Sequence, residues 1–94
     1  MTHIYEVLFI LKPNEEKPEE KISMVEEIIT TNNGNIKKTG NWGIKKLAYE
    51  IAGFNEGLYV LIEFKADSKC TKELDHKLKI DDSVIRHMLI RKEY

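Results

Sequence analysis

The sequence predicts an α+β fold, a ferredoxin-like split β-α-β domain. Its sheet has four antiparallel strands, and two helices lie on one face. Three observations lead there. Apolar residues alternate in segments at the start, middle and end of the chain, and recur with helical spacing in two segments between them. The order of these segments is β-α-β-β-α-β, the split βαβ arrangement. The 94 residues suffice for one core and show no linker, internal repeat or low-complexity run, so residues 1–94 are read as one domain.

The first strand is "HIYEVLFIL", residues 3–11, rich in β-branched and aromatic types and closed by Pro13-Asn14. The segment "EEKPEEKISMVEEIITTNN" follows as a helix. Pro18 fits its first turn, acids crowd its N-terminal end, and Ile22, Val25, Ile28 and Ile29 form one apolar stripe. Asn32-Asn33-Gly34 stops it. A second strand covers residues 35–51, interrupted around residues 40–43, and "AGFNEG" is read as a turn. The third strand is "LYVLIEF", residues 58–64. Asp67 or Ser68 caps a helix over residues 68–78, with Cys70, Leu74 and Leu78 on one face. After "DDS", a fourth strand spans residues 84–92. The first and third strands are expected in the centre of the sheet.

Two helices cover only one face of such a sheet, and strand parity assigns each side chain to a face. Tyr5, Val7, Phe9 and Leu11, with Leu58, Val60, Ile62 and Phe64, are expected to meet the helices. Val84, Met88 and Ile90 are placed with them, as are Leu47, Tyr49 and Ile51. That leaves Leu8, Ile10, Tyr59, Leu61 and Leu89 as an apolar centre on the open face, with His87 and Arg91 around it. An open face is ordinarily polar, and a contiguous apolar patch marks an interaction site. The chain stops at Tyr94 and is expected to have no tail that would cover the patch.

The net charge is −1, yet the charges are segregated. Residues 30–49 contain no acid but carry Lys37, Lys38, Lys45 and Lys46, and the last strand carries Arg86, His87, Arg91 and Lys92. The lysine pairs have two readings: protection of an edge strand against unwanted pairing, or contact with an anion. Lys46 is expected on the open face, and Lys45 near the strand end could turn outward. Trp42, between glycines, either folds over the sheet edge or stacks on a base.

Catalytic and metal chemistry find no footing. His3, His76 and His87 are scattered, and Cys70 is not at a zinc spacing from them. No phosphate loop or nucleophile elbow is present. Cys70 is single and is read as a small packing residue. An RNA-recognition box would need a basic residue where Glu56 stands, and of its aromatics only Tyr59 is placed to stack. No cofactor, membrane or small-molecule substrate is expected. The apolar runs are too short for a bilayer and no signal peptide opens the chain, so a cytoplasmic or equivalent organelle location is expected.

"YEVLFILKP", then "GIKKLAYEI" followed by "GLYV", then "KLKIDDSVIRHMLIRK" resemble the bacterial-type small-subunit ribosomal protein six family over residues 5–92. The resemblance implies a ferredoxin-like, non-enzymatic constituent of the small ribosomal subunit. Such a protein binds the central domain of small-subunit rRNA together with ribosomal protein eighteen. It makes Lys45, Lys46, Arg86, His87 and Arg91 the candidate RNA contacts. It makes Leu8, Ile10, Tyr59, Leu61 and Leu89 the candidate interface with the partner protein. Three departures stand out. Glu50 stands where the resemblance implies a proline, both members of the basic pair are lysine, and no C-terminal extension is expected after Tyr94. A lysine keeps the charge but not the bidentate geometry of arginine. The alternative is a homodimeric ferredoxin-like domain that binds a small ligand or regulates, using the same open face.

Overall fold

The computed structural model describes residues 1–92 of the chain. The elements run β1 (His3–Leu11), α1 (Pro18–Thr31), β2 (Asn35–Ile51), β3 (Phe54–Ala66), α2 (Ser68–Ile80) and β4 (Val84–Lys92). The sheet order is β2-β3-β1-β4 with every neighbouring pair antiparallel. The expected ferredoxin-like topology is therefore present, with β1 and β3 central.

The helices form where local chemistry directs them. Pro18 occupies the first turn of α1, where its missing N–H leaves no bond unmade, and Glu19 and Glu20 face the positive helix end. Asn33 takes the left-handed conformation after the last turn (φ 63°). Asp67 caps α2 by accepting the Cys70 N–H at 3.1 Å.

The core lies between the helices and one face of the sheet. Tyr5, Val7, Phe9 and Leu11 from β1 meet Val60, Ile62 and Phe64 from β3, all buried. Val25 and Ile29 of α1 and Cys70, Leu74 and Leu78 of α2 close it from the other side. Tyr5 and Phe64 stack with centroids 5.8 Å apart. The Cys70 thiol is pushed above its ordinary pKa, first by burial and then by the charges of Asp67 and Glu73.

Strand β3 begins four residues before the expected strand, because the connection to β2 is only two residues long. Ala52 (φ 52°) and Gly53 (φ 84°) both take positive φ, the combination a tight hairpin turn requires. Gly57, expected in a turn, is a strand residue. A side chain there would run into the Ile10 Cγ2 methyl and come within 3.1 Å of the Leu11 carbonyl.

Irregularities in the two edge strands change which residues share a face. In β4, Leu11 pairs with Val84 and Ile10 with Arg86, so Ile85 is an inserted residue. One inserted residue inverts parity for everything after it. Val84 keeps its expected place against the core, but Leu89 also packs there, opposite Val7. Met88 and Ile90, expected inside, are each 45% exposed on the open face. In β2, the register shifts at Lys37, at Trp42 and again over residues 47–50. Leu47, Tyr49 and Ile51, expected in the core, instead line a groove on the open face. The distal hairpin extends past the helices, as Ile44 on its helix side is 49% exposed. Apolar alternation there can only serve the opposite face.

Candidate partner and nucleic-acid interface

The open face has an apolar end and a polar end. At the apolar end Leu8 and Ile10 of β1, Tyr59 of β3 and Met88 of β4 form the floor of a groove. The floor is continuous because these residues are cross-strand neighbours: Leu8 opposes Leu61 and Met88, and Ile10 opposes Tyr59 and Arg86. Leu47, Ala48, Tyr49 and Ile51 form its wall. They reach it because residues 47–50 have no partners across from them in β3, which frees that stretch from the plane of the ladder. Ile10 is only 6% exposed under this cover. The Arg86 Nη1–H donates to the Tyr49 hydroxyl at 2.8 Å, tying the hairpin to β4 across the groove.

At the polar end the Lys92 ammonium donates to Glu63 Oε1 at 2.9 Å and approaches Glu6 Oε2 at 3.5 Å, bridging three strands. That hydrogen bond is the main reason the Glu63 carboxyl titrates below its ordinary range, with smaller help from the charges of Lys92, Lys38 and Lys37. Trp42 sits beside this cluster, together with Leu61 and Lys38. The indole lies over Gly40, where a Cβ would stand 3.2 Å from its Nε1. Asn41 Oδ1 accepts the Gly43 N–H at 3.0 Å and braces the bulge that carries it. Trp42 remains 51% exposed, so it covers the sheet edge only in part.

Of the residues expected at a protein interface, Leu8, Ile10, Tyr59 and Leu61 lie on the open face and Leu89 does not. Met88, Ile90, Leu47 and Tyr49 take its place, and their signal was hidden by the bulges.

The five cationic candidates are not brought together. Lys45 opposes Gly57 and so faces the open side, whereas Lys46 opposes Glu56 on the helix side, the reverse of the parity expectation. Both are exposed near the hairpin tip. Arg86 belongs to the groove. His87, opposite Phe9, points to the helix layer and its Nε2 meets Asp75 Oδ1 of α2 at 2.7 Å. Arg91, opposite Tyr5, shares that side and lies about 16 Å along β4 from Arg86. The expectation of His87 and Arg91 around the open-face patch is therefore corrected by the same Ile85 bulge.

Among the described residues no group of three or more His, Cys, Asp or Glu could hold a metal ion, and no helix is long and apolar enough to cross a membrane.

Comparison with known proteins agrees with this architecture. The family described as ribosomal protein S6 matches residues 4–91. Small ribosomal subunit protein bS6 of Clostridioides difficile (strain 630) is 48% identical over 88 residues, covering 92% of this chain and 95% of its own. The bS6 protein of Alkaliphilus oremlandii (strain OhILAs) is 47% identical over 91 residues, covering 95% and 96%. The crystal structure of 30S ribosomal protein S6 from Thermotoga maritima superposes with a TM-score of 0.92 at 36% identity, covering 98% of this chain and 89% of that one. An uncharacterized protein of the same organism, at 14% identity and a TM-score of 0.67, shares the fold alone.

Proposed function

The chain belongs to the ribosomal protein S6 family, and from that premise we propose how it works in the small ribosomal subunit. It is a structural, non-enzymatic component of that subunit, located with the ribosome in the cytoplasm. It binds the central domain of the small-subunit rRNA together with ribosomal protein eighteen. The open sheet face receives the partner protein, through Leu8, Ile10, Tyr59 and Leu61 with Met88. The exposed lysines of the hairpin, Lys45 and Lys46, neutralise rRNA phosphates.

The observation that carries this reading is the division of the exposed surface. One sheet face presents a contiguous apolar groove. Next to it, the hairpin beyond the helices presents lysines to solvent. The acidic residues of α1, Glu19 and Glu20 among them, lie on the far side of the core. A homodimeric small-ligand domain would use the same face, but family membership favours the ribosomal reading.

The test is co-sedimentation. The wild-type chain added to a lysate should travel with small ribosomal subunits, and Leu61→Asp should abolish both this and pairing with purified protein eighteen. A stable homodimer that stays at the top of the gradient would overturn the proposal.

A further inference from the structure

We infer that Arg86 is a protein-recognition residue: it captures a carboxylate of the partner protein next to an apolar side chain seated in the groove. This deepens the proposed pairing and rests on it. Arg86 comes to the open face only because Ile85 is inserted before it, which sets it opposite Ile10. There it lines the groove with Leu8, Ile10, Tyr59 and Met88, while His87, which also borders the groove, turns its ring to Asp75 on the helix side. The groove encloses about 240 Å³, room for one large apolar side chain.

The Tyr49 hydroxyl accepts one guanidinium N–H at 2.8 Å and so holds the fork in place. A guanidinium has five donors, and among the described residues no carboxylate is within ion-pair distance of this one. Arg86 is exposed, so in the free chain its remaining donors are open to water. A partner that covers the groove removes that water and must supply an acceptor, and a carboxylate matches the fork bidentately. A phosphate would match it as well. A ribose-phosphate strand, however, would leave Leu8, Ile10, Leu47 and Met88 facing a polar ligand, while the lysines that suit phosphate lie outside the groove. The surroundings therefore favour a protein.

The experiment measures binding of the full chain to purified ribosomal protein eighteen without RNA, by calorimetry, and then binding of the pair to an rRNA central-domain fragment. Arg86→Gln should weaken the protein step roughly 30-fold or more, as expected when a charge partner in a desolvated contact is truncated. Tyr49→Phe, which keeps the ring and removes the hydroxyl, should weaken it about fivefold. Lys72→Gln, an exposed change on α2 across the core from the groove, should leave the protein step within about twofold. Circular dichroism and thermal unfolding of each variant report that it is folded. Pairing by wild type and Arg86→Gln with equal affinity overturns the inference but not the proposed function. In that case a weaker RNA step for Arg86→Gln would make the arginine an RNA contact. A wild-type chain that does not pair overturns both.

Discussion

Exchanging Met88 and Leu89 for alanine, one at a time, separates stability from binding. Each substitution removes three heavy atoms. Leu89 is partly buried against the core opposite Val7, so its loss withdraws packed carbon at up to about 0.8 kcal/mol per methylene, plus a cavity contribution. The expected destabilisation is about 2.5 kcal/mol, or a fall in Tm of about 10 °C or more for a domain of this size. Met88 is 45% exposed, and its loss should cost less than about 1 kcal/mol. Urea denaturation of both variants, with unchanged m, reads the difference. Pairing with protein eighteen should rank them the other way, because Met88 floors the groove and Leu89 does not. A larger stability loss for Met88→Ala than for Leu89→Ala would refute the register assigned to β4 and, with it, the composition of the open face.

Two further outcomes probe other parts of the structure. Gly57→Ala places a methyl group against Ile10 and the Leu11 carbonyl and should destabilise the domain by about 1–3 kcal/mol in a thermal melt; an unchanged Tm would contradict the close approach of β3 to β1. Glu63 titrates low because Lys92 stabilises its ionised form, so its contribution to stability is complete above the ordinary glutamate range and is lost as pH falls through the lowered folded value. An NMR titration should find the Glu63 midpoint below an ordinary glutamate and raised in Lys92→Met; no difference between the two proteins would remove the bridge across the polar end of the open face.

What the sequence made legible follows from where the chain is regular. In β1 and the central part of β3 the ladder is unbroken from Tyr5 to Ile10 and from Leu58 to Phe64, and alternation alone sorted Val7, Phe9, Val60 and Ile62 from Leu8, Ile10 and Leu61. Helical spacing likewise identified Val25, Ile29, Leu74 and Leu78. The edge strands resisted the same reasoning. Ile85 looks like any strand residue, yet its insertion exchanges Leu89 for Met88 and turns His87 toward Asp75. The unpaired stretch at residues 47–50 includes Glu50. Its neighbour Tyr49, read as a core residue, is 62% exposed and holds Arg86. That hydrogen bond joins residues 37 positions apart and depends on both irregularities, so no local pattern announces it.

On the proposed function the open face and the hairpin divide the work, one binding protein and the other rRNA. The salt dependence of rRNA binding by the complex with protein eighteen tests it most directly. If Lys45 and Lys46 each neutralise a phosphate, replacing both with glutamine should reduce the slope of log K against log salt by about 1.5–2, with pairing to protein eighteen preserved. An unchanged slope would contradict the account.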